Sequence, residues 1–239
     1  MEPVSRMLSA DYIVLVNAAA LLFNIYLIVN KRWNELAIFY AAVAGNVLVE
    51  IGLMVSGARG FMPDTAFARY GALACLTWSD NGLFATIAYM NVRYWLKKDY
   101  PVNLIFAVNM LFFIGLPLLS LDYNLAPLAD VKTWRMVQAG QSFGTGIALL
   151  VFLAVIMGMG YSRVLARIMI VGVAMEAAFE ARLFLVGVRP LAEGQSMPLA
   201  IFRNTTEFKF PLAMCLAFII IKLIWKLPEL KDKALARGQ

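Results

Sequence analysis

The feature that most limits what this chain can fold into is a series of long apolar runs. An apolar stretch of about 20 residues crosses a bilayer as a helix, because a rise of 1.5 Å per residue covers about 30 Å of hydrocarbon. Seven stretches have this character, at residues 11–30, 36–57, 70–95, 102–120, 135–160, 164–187 and 199–225. They are too long for membrane strands and lack the two-residue alternation of a barrel. The expected fold is an all-α membrane protein: one bundle of seven transmembrane helices over residues 1–239, a single domain with short connections. Composition agrees. Hydrophobic residues make up 62% of the chain and charged residues 15%, against about 25% charged in a soluble domain. The first run is not expected to be a cleaved signal peptide. It exceeds an h-region, and its flank MEPVSRMLSAD carries one basic residue, Arg6.

Lysine and arginine set the expected orientation. Lys31, Arg32, Arg93, Lys97, Lys98, Arg163, Arg167, Lys222, Lys226, Lys231, Lys233 and Arg237 fall on one side. Arg6, Arg59, Arg69, Lys132, Arg135 and Arg189 fall on the other. The richer side is the cytosolic one, which puts the N-terminus outside and the C-terminus in the cytosol. The net charge of +6 is therefore a membrane pattern and does not point to nucleic acid.

The residue inventory excludes several chemistries. The chain has no histidine, which removes imidazole-ligated haem, a Ser-His-Asp triad, an H-E-x-x-H zinc site and a histidine-box di-iron centre. No D-D-x-x-D occurs, so an Mg²⁺-diphosphate site is not expected, nor is any other metal or cofactor. Cys75 and Cys215 sit in apolar runs and read as small packing residues, not a disulfide.

A charge at bilayer depth costs about 2.5–3.5 kcal/mol on insertion scales, so it faces the bundle interior and is a functional candidate. Five acids qualify: Glu50 in the second helix, Asp80 in the third, Glu176 and Glu180 in the sixth, and Glu207 in the seventh. Helical rise places them roughly 10–16 Å from the outer ends of their helices. They would therefore form one layer around a shared polar cavity. Glu180 with Arg182, and Glu207 with Arg203 or Lys209, read equally well as structural ion pairs. Glu50 has no basic neighbour in sequence and shares a helical face with Asn46. An unpaired, hydrogen-bonded carboxyl in an apolar site stays protonated near neutrality and is a ready general acid. Trp78, Phe84, Tyr89, Phe143, Phe179, Phe208 and Phe210 accompany the acids. Ring faces turned to the cavity would stabilise a carbocation.

The second helix carries a specific pattern. The stretch NELAIFYAAVAGNVLVEIGL resembles the signature of the integral-membrane terpene cyclases of fungal meroterpenoid and indole-diterpene pathways and their bacterial relatives. The family's N-x-x-W-E motif reads here Asn46-Val47-Leu48-Val49-Glu50, with Val49 in place of Trp. Further matches follow in order. They are Trp78-Ser79-Asp80, then Trp95 with Pro101, then Trp134 with Gln138 and Ser142 in the fifth helix, then YSRVLARIMIVG opening the sixth, with Arg182 near its far end. The chain departs from the family in its last helix. Where an acid is expected it reads Ala217-Phe218-Ile219-Ile220-Ile221-Lys222, which leaves the second acid's role to Glu207 or Asp80.

The resemblance implies a metal-free, proton-initiated cyclisation of a prenyl chain, alkene or epoxide, on a lipophilic meroterpenoid or indole-terpenoid substrate. Glu50, Asp80 and Glu207 would be catalytic, and Asn46, Trp78, Phe84, Glu180 and Arg182 would line the substrate. The setting would be a multi-pass membrane protein, in the cytoplasmic membrane of a bacterium or the endoplasmic reticulum of a fungus, with membrane lipid and a prenylated small molecule as partners. Two other classes compete. A rhodopsin-like protein would use Lys209 for retinal, but the position four residues earlier is Thr205, not an acid. A small-molecule transporter would show an inverted repeat or Gly/Pro-broken helix pair, and neither is visible.

Overall fold

The computed structural model describes residues 3–98, 100–119, 123, 130–136, 139–191 and 194–205. The chain is mostly helical. Helix α1 is Ala10–Val29 and α2 is Trp33–Val55. Helix α3 runs over 67–97, with π-helical turns at Phe67–Gly71 and Cys75–Gly82 between α-helical ones. Helix α4 is Val102–Leu119, with a π-helical turn at Leu111–Gly115. Ala139–Gly158 forms α5, Ser162–Leu185 forms α6, and Met197–Thr205 forms α7. Among the described residues, α1, α2 and α4 are long and apolar enough to cross a membrane. Helices α3 and α6 carry the buried charged residues Asp80, Glu176, Glu180 and Arg182, which lower their hydropathy.

Local chemistry explains the helix limits. Ser9 caps α1 by accepting the Tyr12 amide at 3.0 Å, and Asp11 sits in the first turn where the helix dipole favours an anion. The buried face of α1 is Tyr12, Ile13, Val16, Ala20, Phe23 and Leu27, spaced at three and four residues. Its other face exposes Val14, Leu21, Leu22, Ile25, Ile28 and Val29. A contiguous apolar face of this kind is stable against hydrocarbon and not against water. Helix α2 ends in a Schellman turn, in which the Gly57 amide bonds to Met54 O and the Ala58 amide to Leu53 O. Gly57 takes φ +70°, which a side chain would disfavour.

The structure adds an element that the expectation of an all-helical fold lacked. Strands β1 (Pro3–Leu8), β2 (Arg59–Met62) and β3 (Val131–Met136) form an antiparallel sheet in the order β1-β3-β2. Residues 135–136, expected to begin the fifth helix, are therefore strand, and Trp134 belongs to β3. The apolar and β-branched residues Leu8, Phe61, Val131 and Thr133 alternate along the strands and point inward. Met7, Met62 and Lys132 point outward. The sheet gathers the start of α1, the turn between α2 and α3 and the segment before α5 at one end of the bundle. The Met7 amide, bonded to Val188 O at 2.8 Å, adds the turn after α6. This end is called the cap.

Two close approaches hold the parts together. A Cβ on Gly82 would lie 2.7 Å from Cζ of Phe39, so α3 packs tightly on α2 there. At the end opposite the cap, Tyr100 donates its hydroxyl to the buried Glu35, and Arg93 lies 3.9 Å from the same carboxylate. Burial first, and then Glu35, pushes the Tyr100 hydroxyl well above its ordinary range.

In the sheet, a Cβ on Gly60 would fall 2.1 Å from Cζ2 of Trp134, its cross-strand partner. We predict that Gly60→Ala displaces the indole and lowers stability by about 1–3 kcal/mol, the usual range for overpacking. Gly52→Ala, where a Cβ meets nothing within 4 Å, should leave stability unchanged or raise it. Thermal unfolding of the detergent-solubilised variants distinguishes the two.

Candidate active site

Three carboxylates on the helices are each met by an arginine from the cap. Glu50, in the second half of α2, accepts from Arg59 of β2 through both oxygens, with Nε and Nη2 each at 2.7 Å. Arg59 Nη1 also donates to Thr133 Oγ1 at 3.3 Å. Asp80, in the π-helical turn Cys75–Gly82, receives Arg6 Nη1 of β1 at 2.7 Å on Oδ2. Glu180 of α6 pairs with Arg189, in the turn that follows that helix, at 2.9 Å. Asn204 of α7 donates to the same Glu180 oxygen at 3.1 Å.

Three expectations change as a result. Glu50 is not unpaired. The Schellman turn after α2 reverses the chain, so a residue nine positions later returns over the carboxylate as a two-pronged clamp. Asn46 does not orient Glu50 either; its Nδ2 donates to Leu76 O at 3.2 Å. That carbonyl also accepts from Asn81, so the two amides support the π-helical turn. Glu180 pairs with Arg189 and not with Arg182, since the turn after α6 folds back in the same way as the turn after α2.

The arginines are held in opposite electrostatic balances. Burial lowers the pKa of Arg6, but Asp80, Glu180 and Tyr12 together outweigh it and leave the group above its ordinary value. For Arg59 burial prevails over the bond to Glu50, helped by the nearby cations Arg135 and Arg6, and its pKa falls below the ordinary value.

Asp80 stands at the centre of the richest cluster. Its Oδ1 accepts the Tyr12 hydroxyl at 3.2 Å, and that hydroxyl lies 3.5 Å from Arg182 Nη2. Arg182 stacks 4.4 Å from the centroid of Phe179, and Arg6 lies 5.7 Å from the same ring. Phe179 packs with Phe84 and Phe112, at centroid separations of 6.4 and 6.1 Å. The group therefore joins a hydroxyl, a carboxylate and two guanidinium ions to a wall of three rings. Ser79 ties the same turn to α1 by donating to Asn17 Oδ1 at 2.8 Å. A π-helical turn carries one extra residue per hydrogen-bonded loop and re-aims side chains, which is why such turns collect at functional sites.

Other expected residues fall elsewhere. Trp78 faces α2, edge-on to Phe39 at 6.2 Å, and does not join the Asp80 cluster. Cys75 is buried with a free thiol. Glu207, Lys209, Phe208, Phe210, Gln138 and Cys215 lie outside the described residues, as do the side chains of Arg203, Ser142 and Phe143. Sequence reasoning missed Arg6, Arg59, Arg189 and Tyr12 as site residues. The signal that could have found the three arginines is their place, each in a cap segment directly adjoining a helix end. The chain matches no family model, no curated protein and no solved structure.

Removing one partner of a buried ion pair strands the other charge and costs about 3–5 kcal/mol, whereas replacing both with apolar groups is often neutral. Arg59→Met is therefore expected to lose folded protein, and Glu50→Met/Arg59→Met to recover most of it. A double-mutant cycle on unfolding stability reads the coupling directly. A double variant no better than the worse single variant would mean that the pair does not act as a unit.

Proposed function

We propose that this chain is a membrane-embedded terpene cyclase, with seven spanning helices, its N-terminus outside and its C-terminus in the cytosol. It isomerises a prenylated lipophilic substrate by proton-initiated cyclisation. The observation that carries the reading is the Asp80–Tyr12 hydrogen bond set against the Phe84, Phe112 and Phe179 rings. In this reading Asp80 and Tyr12 handle the proton. The carboxyl delivers it to the terminal epoxide oxygen or alkene, and the hydroxyl beside it holds the acid in place and relays its replacement. Opening the epoxide or alkene generates a cation, which the π electrons of the next double bond quench to close a ring. Loss of a proton from the last cation restores the balance, so the product is an isomer of the substrate.

The surroundings suit that chemistry. Ring faces stabilise passing positive charge, and a dry apolar mould protects a cation from water. A prenyl substrate dissolves in the bilayer, which favours a membrane enzyme. Glu50 was the acid implied by the family resemblance. Both of its oxygens are taken up by Arg59, whereas Arg6 meets Asp80 on Oδ2 and leaves Oδ1 to the Tyr12 hydroxyl, so the proton-donating role passes to Asp80, with Glu207 as the further carboxyl. Glu50 then anchors the cap above the site.

The test is product analysis in lipid nanodiscs with farnesylated aromatic substrates, with and without a terminal epoxide. The expected product has the substrate's mass and a shifted retention time. Asp80→Asn should reduce turnover per folded protein by about 10²–10⁴-fold. Tyr12→Phe, which leaves the Arg6–Asp80 pair intact, should reduce it by a smaller factor without loss of folded protein. Wild-type turnover in both variants, or no isomeric product from any substrate of the panel, would remove the reading.

A further inference from the structure

The two ends of the bundle are charged differently. At the cap, Arg6, Arg59, Arg69 and Arg189 are each matched by a carboxylate, from Asp80, Glu50, Asp64 and Glu180. The opposite end holds Lys31 and Arg32 in the turn between α1 and α2, Arg93 and Lys98 where α3 stops, and Arg163 and Arg167 where α6 starts. Among the described residues the one acid beside them is Glu35, which is buried and already engaged by Tyr100 and Arg93. The Lys97 side chain and Asp99 lie outside the described residues, and their charges cancel. Lys31, Lys98 and Arg163 are exposed, and Arg32, Arg93 and Arg167 are partly so. A surplus of positive charge therefore faces outward at this end.

Aromatic rings order the surface. Arg167 lies 5.3 Å from the centroid of Trp95, which joins α6 to α3. Arg32 and Arg93 lie 5.3 and 5.4 Å from the Tyr100 ring, which joins the first turn to the segment between α3 and α4. Arg93 and Trp95 leave α3 on different sides, so the two groups extend across its end. A ring held against the face of a guanidinium leaves its N–H edges for acceptors. Trp33 and Trp95 are 52% and 46% exposed. Exposed tryptophan beside Lys and Arg is the pattern of side chains set at the depth of lipid head groups.

We propose that this end is a docking surface for anionic phospholipid head groups, centred on Arg167 and Trp95. Phosphate oxygens accept from Arg167 and from the exposed lysines, while the Trp33 and Trp95 indoles lie at the level of the lipid glycerol. Charge decides between lipid classes. A zwitterionic head brings its own cation, whereas a net-negative head offsets the surplus that Glu35 leaves. The inference rests on the chain lying in a membrane and not on cyclisation.

The experiment measures binding, not turnover. Brominated phosphatidylglycerol, or brominated phosphatidylcholine of the same chains, is titrated into the detergent-solubilised protein, and quenching of tryptophan fluorescence reports binding. Inorganic phosphate is added as a competitor. The glycerol lipid should bind at least tenfold more tightly at low ionic strength. The preference should shrink at about 1 M salt, where the screening length is about 3 Å. Arg167→Gln should lower the preference at least threefold, and so should Lys31→Asn/Lys98→Asn, which alters exposed side chains alone. Lys132→Gln, at an exposed lysine of the cap, should leave it unchanged. Thermal unfolding confirms that the variants are compared as folded protein.

Equal binding of the two lipids overturns the proposal, as does a preference that survives both sets of variants or falls in Lys132→Gln. Phosphate that displaces the glycerol lipid at equal concentration would assign the surface to a soluble anion and overturn it too. Binding of neither lipid would remove the membrane reading as well, whereas loss of the preference alone leaves that reading and the cyclase reading standing.

Discussion

A carboxylate buried in a membrane bundle must find a cation, and here the cation comes from outside the helix that carries the acid. Glu50 is clamped by Arg59, Asp80 by Arg6 and Glu180 by Arg189. Two of these arginines lie on strands of the sheet and the third lies in the turn that hydrogen-bonds β1. The pairs therefore join two layers that have little else in common: an apolar bundle suited to lipid and a small sheet that closes one end. Dissolving the sheet would strand two carboxylates at once, Glu50 and Asp80.

The same constraint organises the interior. Asp80 reaches Arg6 and Tyr12 because it lies in a π-helical turn, and that turn is held by Asn46 from α2, Asn81 beside it, and the Ser79 bond to Asn17 of α1. Gly82, at the end of the turn, lets Phe39 come close and fixes the distance between α2 and α3. The polar cluster is thus positioned by packing on two sides. On its third side Phe84, Phe112 and Phe179 close it off with three ring pairs in contact. Arg6 and Arg182 both lie against the Phe179 ring, which places two guanidinium ions near Asp80.

Much of the helical plan was legible because hydropathy over about 20 residues is a strong signal. The stretches at 11–30, 36–57 and 102–120 correspond within a few residues to α1, α2 and α4. Asp80 and Glu180 were legible as buried for the same reason, since a charge inside an apolar run has few places to go. The sheet was not legible. Its strands have four to six residues, two of them carry inward-facing arginines, and inward Arg6 and Arg59 break the apolar alternation that marks a strand. The partner of Glu50 was not legible, because helical spacings of three and four do not reach it. Arg59 is nine residues away and comes into reach only through the turn at Gly57. Tyr12 was hidden in an apolar run, where a hydroxyl carries no distinguishing pattern.

Arginine–carboxylate pairs fasten the sheet to the bundle, and the rest of the architecture depends on them. Hydrogen–deuterium exchange in nanodiscs, comparing the wild type with Arg6→Met, measures this fastening strand by strand. In the wild type the paired amides of residues 3–8 and 131–136 should exchange slowly, as part of the folded core. In Arg6→Met those two segments should exchange faster together, while α1, α2 and α4 keep their protection. Strand amides that exchange at open-chain rates in the wild type, or that keep full protection in Arg6→Met, would contradict the claim.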